Sequence, residues 1–312
     1  MSFSSSVKNE ICTSVTGEES KYACFYGMIL FCRQFAPDCI VFQTENDITA
    51  EMFCKLADDI IGGENIVSVS KTHKKNNVTL YSLAIENESD REELIYRYHI
   101  YSRTIIHRIQ DDIINEENVS PFLGGAFLSC GSMTEPLKEY HLEFVVPFAE
   151  LAEDMLELLN SLGINAKLVE RKNDHVIYMK ESESIEDMLT WMAAPKSSIE
   201  LMNVKILKDI RNKTNRITNC DNANIERTLK AAEKQIEDIE YIERTVGLDY
   251  LPRDLMNMAE VRLDNPEVSL KDLGELLDKP LGRSGANHRL KKISAIADKL
   301  REERGELTIN NK

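Results

Sequence analysis

Hydrophobic positions in the first two hundred residues run through the same succession of patterns twice. Residues 21–36 (KYACFYGMILFCRQFA) and 119–131 (VSPFLGGAFLSCG) are apolar runs that predict helices with small residues inside them. In the second, Ser120 is placed as N-cap and Pro121 in the first turn. A strand-like segment follows each run, at 39–44 and 141–146. An amphipathic helix comes next, Ile48 to Ile61 ahead of Gly62 and Phe148 to Leu162 ahead of Gly163. Alternating segments then predict a hairpin in each copy, 66–70 with 78–85 and 166–170 with 175–179. A short acidic helix closes each unit, at 90–98 and 184–192. Gly27 with Gly125, and Tyr81 with Tyr178, lie at nearly the same offset. Agreement of so many elements in one order predicts a tandem duplication, with repeats at about 20–105 and 118–195.

After Pro195 the pattern becomes helical throughout. A basic helical segment, 203–219, is predicted to end in the polar turn 220–224. A second helix runs from Ile225 to Val246, with Leu229, Ala232, Ile236, Ile239 and Ile242 on one stripe. Gly247 stops it, and Pro252 opens another over 253–265. Ser269 is the expected N-cap of a short helix carrying Leu270, Leu273 and Leu277, with Asp272 nearly completing a capping box. A turn through 278–283 leads to a helix capped by Ser284, with Leu290, Ile293 and Ile296 inward and Asn287, His288, Arg289, Lys291 and Lys292 on its other side. The fold class expected is α+β for residues 1–200 and all-α for the remainder. A basic linker or helix spans 201–224, and a helix-turn-helix domain spans 225–312.

Charge sharpens this division. The 312 residues carry a net charge of −15, which by itself argues against nucleic acid. Acidic runs lie in the first two-thirds, at 90–93 and 150–154 for example. Two later stretches are basic: Lys205, Lys208, Arg211, Lys213 and Arg216 against Asp209, then Lys279, Arg283, Arg289, Lys291 and Lys292 with no carboxylate among them. Such a face can still hold phosphate, because distant charge is screened beyond a Debye length of ~10 Å. In a helix-turn-helix, Arg reads guanine bidentately, Asn reads adenine, and Ser284 at a helix start can hold a phosphate. The alternative reading of the same residues is a solvated helix with a charged face. The seven cysteines are odd in number, none lies in a Cys-x-x-Cys pair, and the six histidines have no ligand spacing to them. Reduced thiols, no metal and no cofactor are therefore expected. No apolar run approaches the roughly 18 residues that cross a bilayer, and the start has no long apolar run of a secretory signal. The expectation is a cytoplasmic protein with no membrane contact.

The duplicated order of elements, with a glycine in each opening helix, resembles the LAGLIDADG homing-endonuclease fold. That resemblance implies two opening helices packed face to face, with small residues letting their backbones approach. In nucleases of the fold each motif ends in an acidic residue followed by glycine, and the two carboxylates hold divalent metal over the scissile phosphates. Laid on Leu123 to Gly131, the motif puts Cys130 at that acid and Leu128 at its earlier one. Laid on Phe25 to Arg33, it puts Cys32 at the acid and Arg33 in place of glycine. A thiol is a poor ligand for Mg²⁺, so no catalytic residue is expected. Glu135 and Asp38 are the nearest acids beyond the helices, and a redox role for Cys32 with Cys130 is a further alternative.

Residues 208–224 (KDIRNKTNRITNCDNAN), 245–252 (TVGLDYLP) and 284–293 (SGANHRLKKI) resemble the WhiA family, as do 125–132 (GAFLSCGS) and 140–143 (YHLE). The resemblance implies a bacterial DNA-binding regulator, a transcription factor of sporulation in some lineages and of cell division and chromosome segregation in others, with no nuclease activity. It implies double-stranded DNA as partner, at Arg283, Ser284, Asn287, His288, Arg289, Lys291 and Lys292. Lys205, Lys208, Arg211, Lys213 and Arg216 are secondary phosphate contacts or else brace the domain junction, and the protein is expected at the nucleoid. The acidic N-terminal domain is left for a protein partner or self-association. The competing functions are a protein-interaction scaffold with incidental DNA contact and an active metal-dependent nuclease.

Overall fold

The computed structural model describes residues 2–74, 78–100 and 107–305. The end of the first expected repeat, 101–105, the tip of its hairpin, 75–77, and the end of the expected C-terminal domain, 306–312, lie outside the described residues. The chain divides into two compact units, Met1–Asp209 and Ile210–Lys312.

In the first unit the elements recur in order. The first copy comprises α2 (Glu18–Leu30), β1 (Gln34–Ala36), β2 (Cys39–Thr44), α3 (Asp47–Ile61), β3 (Ser68–His73), β4 (Thr79–Ala84) and α4 (Glu88–Arg97). The second comprises α5 (Val119–Cys130), β5 (Gly131–Met133), β6 (Leu142–Val146), α6 (Ala149–Ser161), β7 (Lys167–Arg171), β8 (Asp174–Met179) and α7 (Ser182–Trp191). Each copy builds an antiparallel four-stranded sheet in the same order, β1-β2-β4-β3 and β5-β6-β8-β7. The register pairs Phe42 with Leu83 in one sheet and Phe144 with Ile177 in the other. Strand alternation puts Ile40 and Phe42, or Leu142, Phe144 and Val146, into the core. Val41 with Gln43, and Glu143 with Val145, take the other face.

Helices α2 and α5 cross at the centre, and glycine makes the crossing possible. A Cβ at Gly125 would overlap the Cys24 carbonyl oxygen. One at Gly27 would overlap the Phe122 carbonyl oxygen and lie 2.9 Å from Ala126 N. The contact is reciprocal: each helix supplies a glycine that receives the other's backbone.

Two expectations are corrected in this unit, and one helix is added. The first apolar helix ends at Leu30, and its last residues form Phe31 as C-cap and the strand β1. Ser120 is not the N-cap of α5. That position is Asn118, whose Oδ1 accepts instead from Asn115 N (2.8 Å) in the preceding turn. A helix α1 (Phe3–Ser14) precedes the repeats, capped by Ser2 and burying Phe3, Val7 and Ile11 at every fourth position. Its Glu10 accepts from Lys196 N (2.7 Å) and Ser197 N (2.9 Å), and from Ser197 Oγ (2.7 Å). That carboxylate satisfies the free N–H groups opening helix α8 (Pro195–Val246) and complements its dipole.

No turn interrupts α8 at 220–224. Between Lys196 and Val246 there is neither Gly nor Pro, and Asp and Asn cost only ~0.7 kcal/mol each in a helix interior. Thr228 Oγ1 donates to Asn224 O (2.9 Å), and Lys230 pairs with Glu226 (2.8 Å) within that helix.

The second unit closes over its own core. After a 3-10 turn (Leu248–Tyr250) come α9 (Arg253–Asp264), α10 (Leu270–Glu275) and α11 (Arg283–Glu303). Ile239 and Ile242 from α8 meet Leu255, Met258 and Ala259 from α9, Leu273 from α10, and Ala286, Leu290, Ile293 and Ala297 from α11. Asp238, 1% exposed, is held by Arg301 Nη1 at 2.7 Å. Among the described residues no helix is long and apolar enough to cross a membrane.

Candidate nucleic-acid interface

Helices α10 and α11 meet through a turn whose closeness is set by Gly274. Leu281 N donates to Gly274 O (2.9 Å), and a Cβ at Gly274 would overlap the Leu281 carbonyl oxygen. Ser269 Oγ accepts from Asp272 N (3.3 Å) and donates to the Asp272 carboxylate (2.7 Å), capping α10. Helix α11 starts two residues earlier than expected. Gly282 is its N-cap and Arg283 its first residue, so Ser284 is the second helical residue rather than the cap.

The burial of Ala286, Leu290, Ile293 and Ala297 fixes which side of α11 meets solvent. At about 100° per residue, Ser284, His288, Lys291 and Lys292 fall together on the outward face, and all four are exposed. Asn287 and Arg289 stand on opposite flanks and are half-buried. Arg289 turns toward α9, with Nε 3.7 Å from the Asp254 carboxylate. Arg283 is exposed at the helix start and points away from the face centred on His288, into a cavity beside α8. The seven residues singled out in the sequence therefore separate into an outward cluster of four, two flanking groups and one at the helix start.

The basic residues of α8 also separate. Lys205 Nζ lies 2.5 Å from Glu183 and 3.5 Å from Glu186. That hydrogen bond holds the Glu183 carboxyl down at about 2. Lys208 Nζ donates to Pro136 O (2.7 Å) and sits 4.3 Å from the Tyr140 ring centroid. Both are occupied within the first unit. Arg211, Lys213 and Arg216 are exposed.

At the ends of α2 and α5 lies a cavity of about 380 Å³ lined by Cys32, Arg33, Gln34, Gln43, Ser129 and Cys130. Burial pushes both thiols up to about 12, so they are neutral, and Cys32 Sγ donates to Gln34 O (3.3 Å). The charged groups beside them are Arg33, paired with Asp174 (3.1 Å), and Lys8, which acts on Cys130. Asp38 and Glu135 do not line the cavity. Among the described residues no three His, Cys, Asp or Glu side chains cluster in a way that would hold a metal ion.

One charged residue escaped the sequence reading. Leu255, Met258, Ala259 and Arg262 share the buried stripe of α9, and Arg262 is 1% exposed. A cation in phase with apolar positions was the signal.

Two family descriptions match the chain: the WhiA C-terminal HTH domain over residues 214–297 and the WhiA LAGLIDADG-like domain over residues 119–211. Proteins named "Probable cell division protein WhiA" are similar over nearly their whole length. One from Clostridium botulinum is 39% identical over 97% of this chain and 99% of its own. One from Clostridium perfringens is 38% identical over 96% of this chain and 99% of its own. The crystal structure of full-length WhiA from Thermatoga maritima is similar with a TM-score of 0.57 at 26% identity, covering 96% of this chain and 99% of that one. With a duplicated LAGLIDADG-like unit followed by a helix-turn-helix, and with relatives matched end to end, the chain belongs to the WhiA family.

Proposed function

We propose that this protein is a DNA-binding regulator of bacterial cell division, chromosome segregation or sporulation, that it holds duplex DNA through the outward face of α11, and that it does not cut DNA. The observation that carries the reading is the grouping of Ser284, His288, Lys291 and Lys292 on one exposed face of a helix whose residues 283–297 include no carboxylate. A helix of that kind fits the major groove, with its hydroxyl and ammonium groups set for phosphate and base edges. Arg289 acts from the flank, where Asp254 orients it, and Arg211, Lys213 and Arg216 are the free candidates for extra phosphate contacts. The protein then works at the nucleoid, in the cytoplasm.

The test measures affinity for a mixed-sequence duplex across a salt series. Cationic contacts release counterions, so log K falls with log salt by about 0.9 per phosphate neutralised. Replacing Lys291 and Lys292 by Glu is expected to weaken binding at every sequence and flatten that slope by roughly 1 per lysine. A slope unchanged by the double replacement refutes this placement of the interface. Supercoiled DNA incubated with the protein and Mg²⁺ or Mn²⁺ is expected to stay unnicked. Neutral thiols at both helix ends support that part, since two-metal hydrolysis needs hard oxygen ligands.

The duplicated unit is proposed to contact a protein partner or a second copy. The Val41–Gln43 face of its first sheet carries neutral residues (Ser70, Ser82, Leu80), and on the matching face of the second Arg171 is paired with Glu143, which favours that role over a grip on phosphate.

A further inference from the structure

The second unit contains a cavity of about 510 Å³ where α8, α9 and the starts of α10 and α11 meet. Four cationic residues line it, Arg227, Arg262, Lys271 and Arg283, together with Gln235 and Ser269, and among the described residues no carboxylate does. Arg262 is the unusual member. Its side chain is 1% exposed, and Nη1 donates to three carbonyl oxygens, of Asn265 (3.3 Å), Pro266 (3.4 Å) and Val268 (2.9 Å). Its Nε is buried with no hydrogen-bond partner among the described residues. No salt bridge joins Arg262 to a carboxylate among those residues either, and burial pushes its pKa down. Buried charges in proteins are ordinarily paired, because an uncompensated one costs several kcal/mol. An unpaired buried charge at the wall of a cavity that three further cations line is a site short of an anion.

We infer that this cavity is a phosphoryl-group site, in which Arg262 supplies a buried positive charge at the wall and Arg227, Lys271 and Arg283 close around the anion. Planar guanidinium groups suit tetrahedral phosphate oxygens, and the volume is that of a small-ligand pocket rather than of a lone ion. The group arrives either on a free phosphorylated small molecule or as a backbone phosphate of a duplex. The site stands apart from the outward face of α11 and does not depend on duplex recognition there.

The experiment follows the Nε–H resonance of Arg262 in the ¹⁵N-labelled full-length protein. Inorganic phosphate, ADP and a mixed-sequence duplex are titrated separately, with sodium chloride at matched ionic strength as reference. The expected result is a saturable shift with phosphate or ADP that chloride does not reproduce. Replacing Arg227 and Lys271, both exposed, by Ala should weaken it by roughly tenfold or more, while the melting temperature without ligand stays close to that of the parent. A signal moved by ADP and untouched by duplex assigns the site to a small molecule. A signal moved by duplex, with ADP displaced, assigns it to the DNA backbone. A resonance unmoved by all three, or moved equally by chloride, overturns the inference, whatever becomes of Lys291 and Lys292 in the DNA assay.

Discussion

The Cys32 and Cys130 thiols, raised to about 12 by burial, give the first unit a dependence on alkaline pH. A folded-state pKa above that of the unfolded chain contributes stability that is complete below about 8.5 and is lost as pH rises through the folded value. Urea midpoints are therefore expected to fall between pH 8 and pH 10, and a Cys32→Ala, Cys130→Ala variant to lose part of that fall. Iodoacetamide should label exposed Cys220 well before either of them. Glu183 has the opposite sign. Its carboxyl is held at about 2 by Lys205, so the ion pair's contribution is present above the ordinary carboxylate range and disappears as pH falls toward 2. Lys205→Ala should return the Glu183 titration, followed by carboxyl NMR, toward its ordinary value. Residue identity alone made the thiols visible in the sequence. That Lys205 and Lys208 face Glu183 and Pro136 was not visible, because their partners lie far away along the chain and belong to other elements.

At the level of elements, packing decides. Gly125→Ala drives a methyl into the Cys24 carbonyl, and Gly274→Ala drives one into the Leu281 carbonyl. Neither neighbour is a flexible side chain, so each replacement is expected to cost about 3 kcal/mol or more, above the usual range for overpacking. Thermal denaturation of the purified variants measures it. Removing the Glu10 carboxylate from the start of α8 should cost about 1–2 kcal/mol, as loss of a helix cap does. The duplicated elements were legible because their apolar period repeats in the same order. Helix α1 was missed because its stripe has only three members, Phe3, Val7 and Ile11, among serines. The turn expected at 220–224 rested on Asp and Asn, which disfavour a helix weakly and do not end one without Gly or Pro. Strands β1 and β5, three residues each, are too short for alternation to declare them.

For the molecule as a whole, the two cores share no residue. Calorimetry is expected to resolve two transitions, Gly125→Ala lowering one and Gly274→Ala lowering the other. The net charge of −15 also acts at this scale. It opposes approach to DNA at low salt, while the cluster on α11 sets the local attraction. The family and the order of the domains were legible in residue order alone. The division of the basic residues into outward, flanking and occupied sets was not, since it depends on where α11 starts and which of its sides the core takes.

The mutual embrace of α2 and α5 has an evolutionary corollary. Each glycine answers a peptide oxygen of the other copy, so neither half can drift in sequence at that point without breaking its twin. The tips of the same two helices bear no such obligation. Selection can therefore rewrite the chemistry at one end of the pair while the crossing a turn or two away keeps the architecture unaltered.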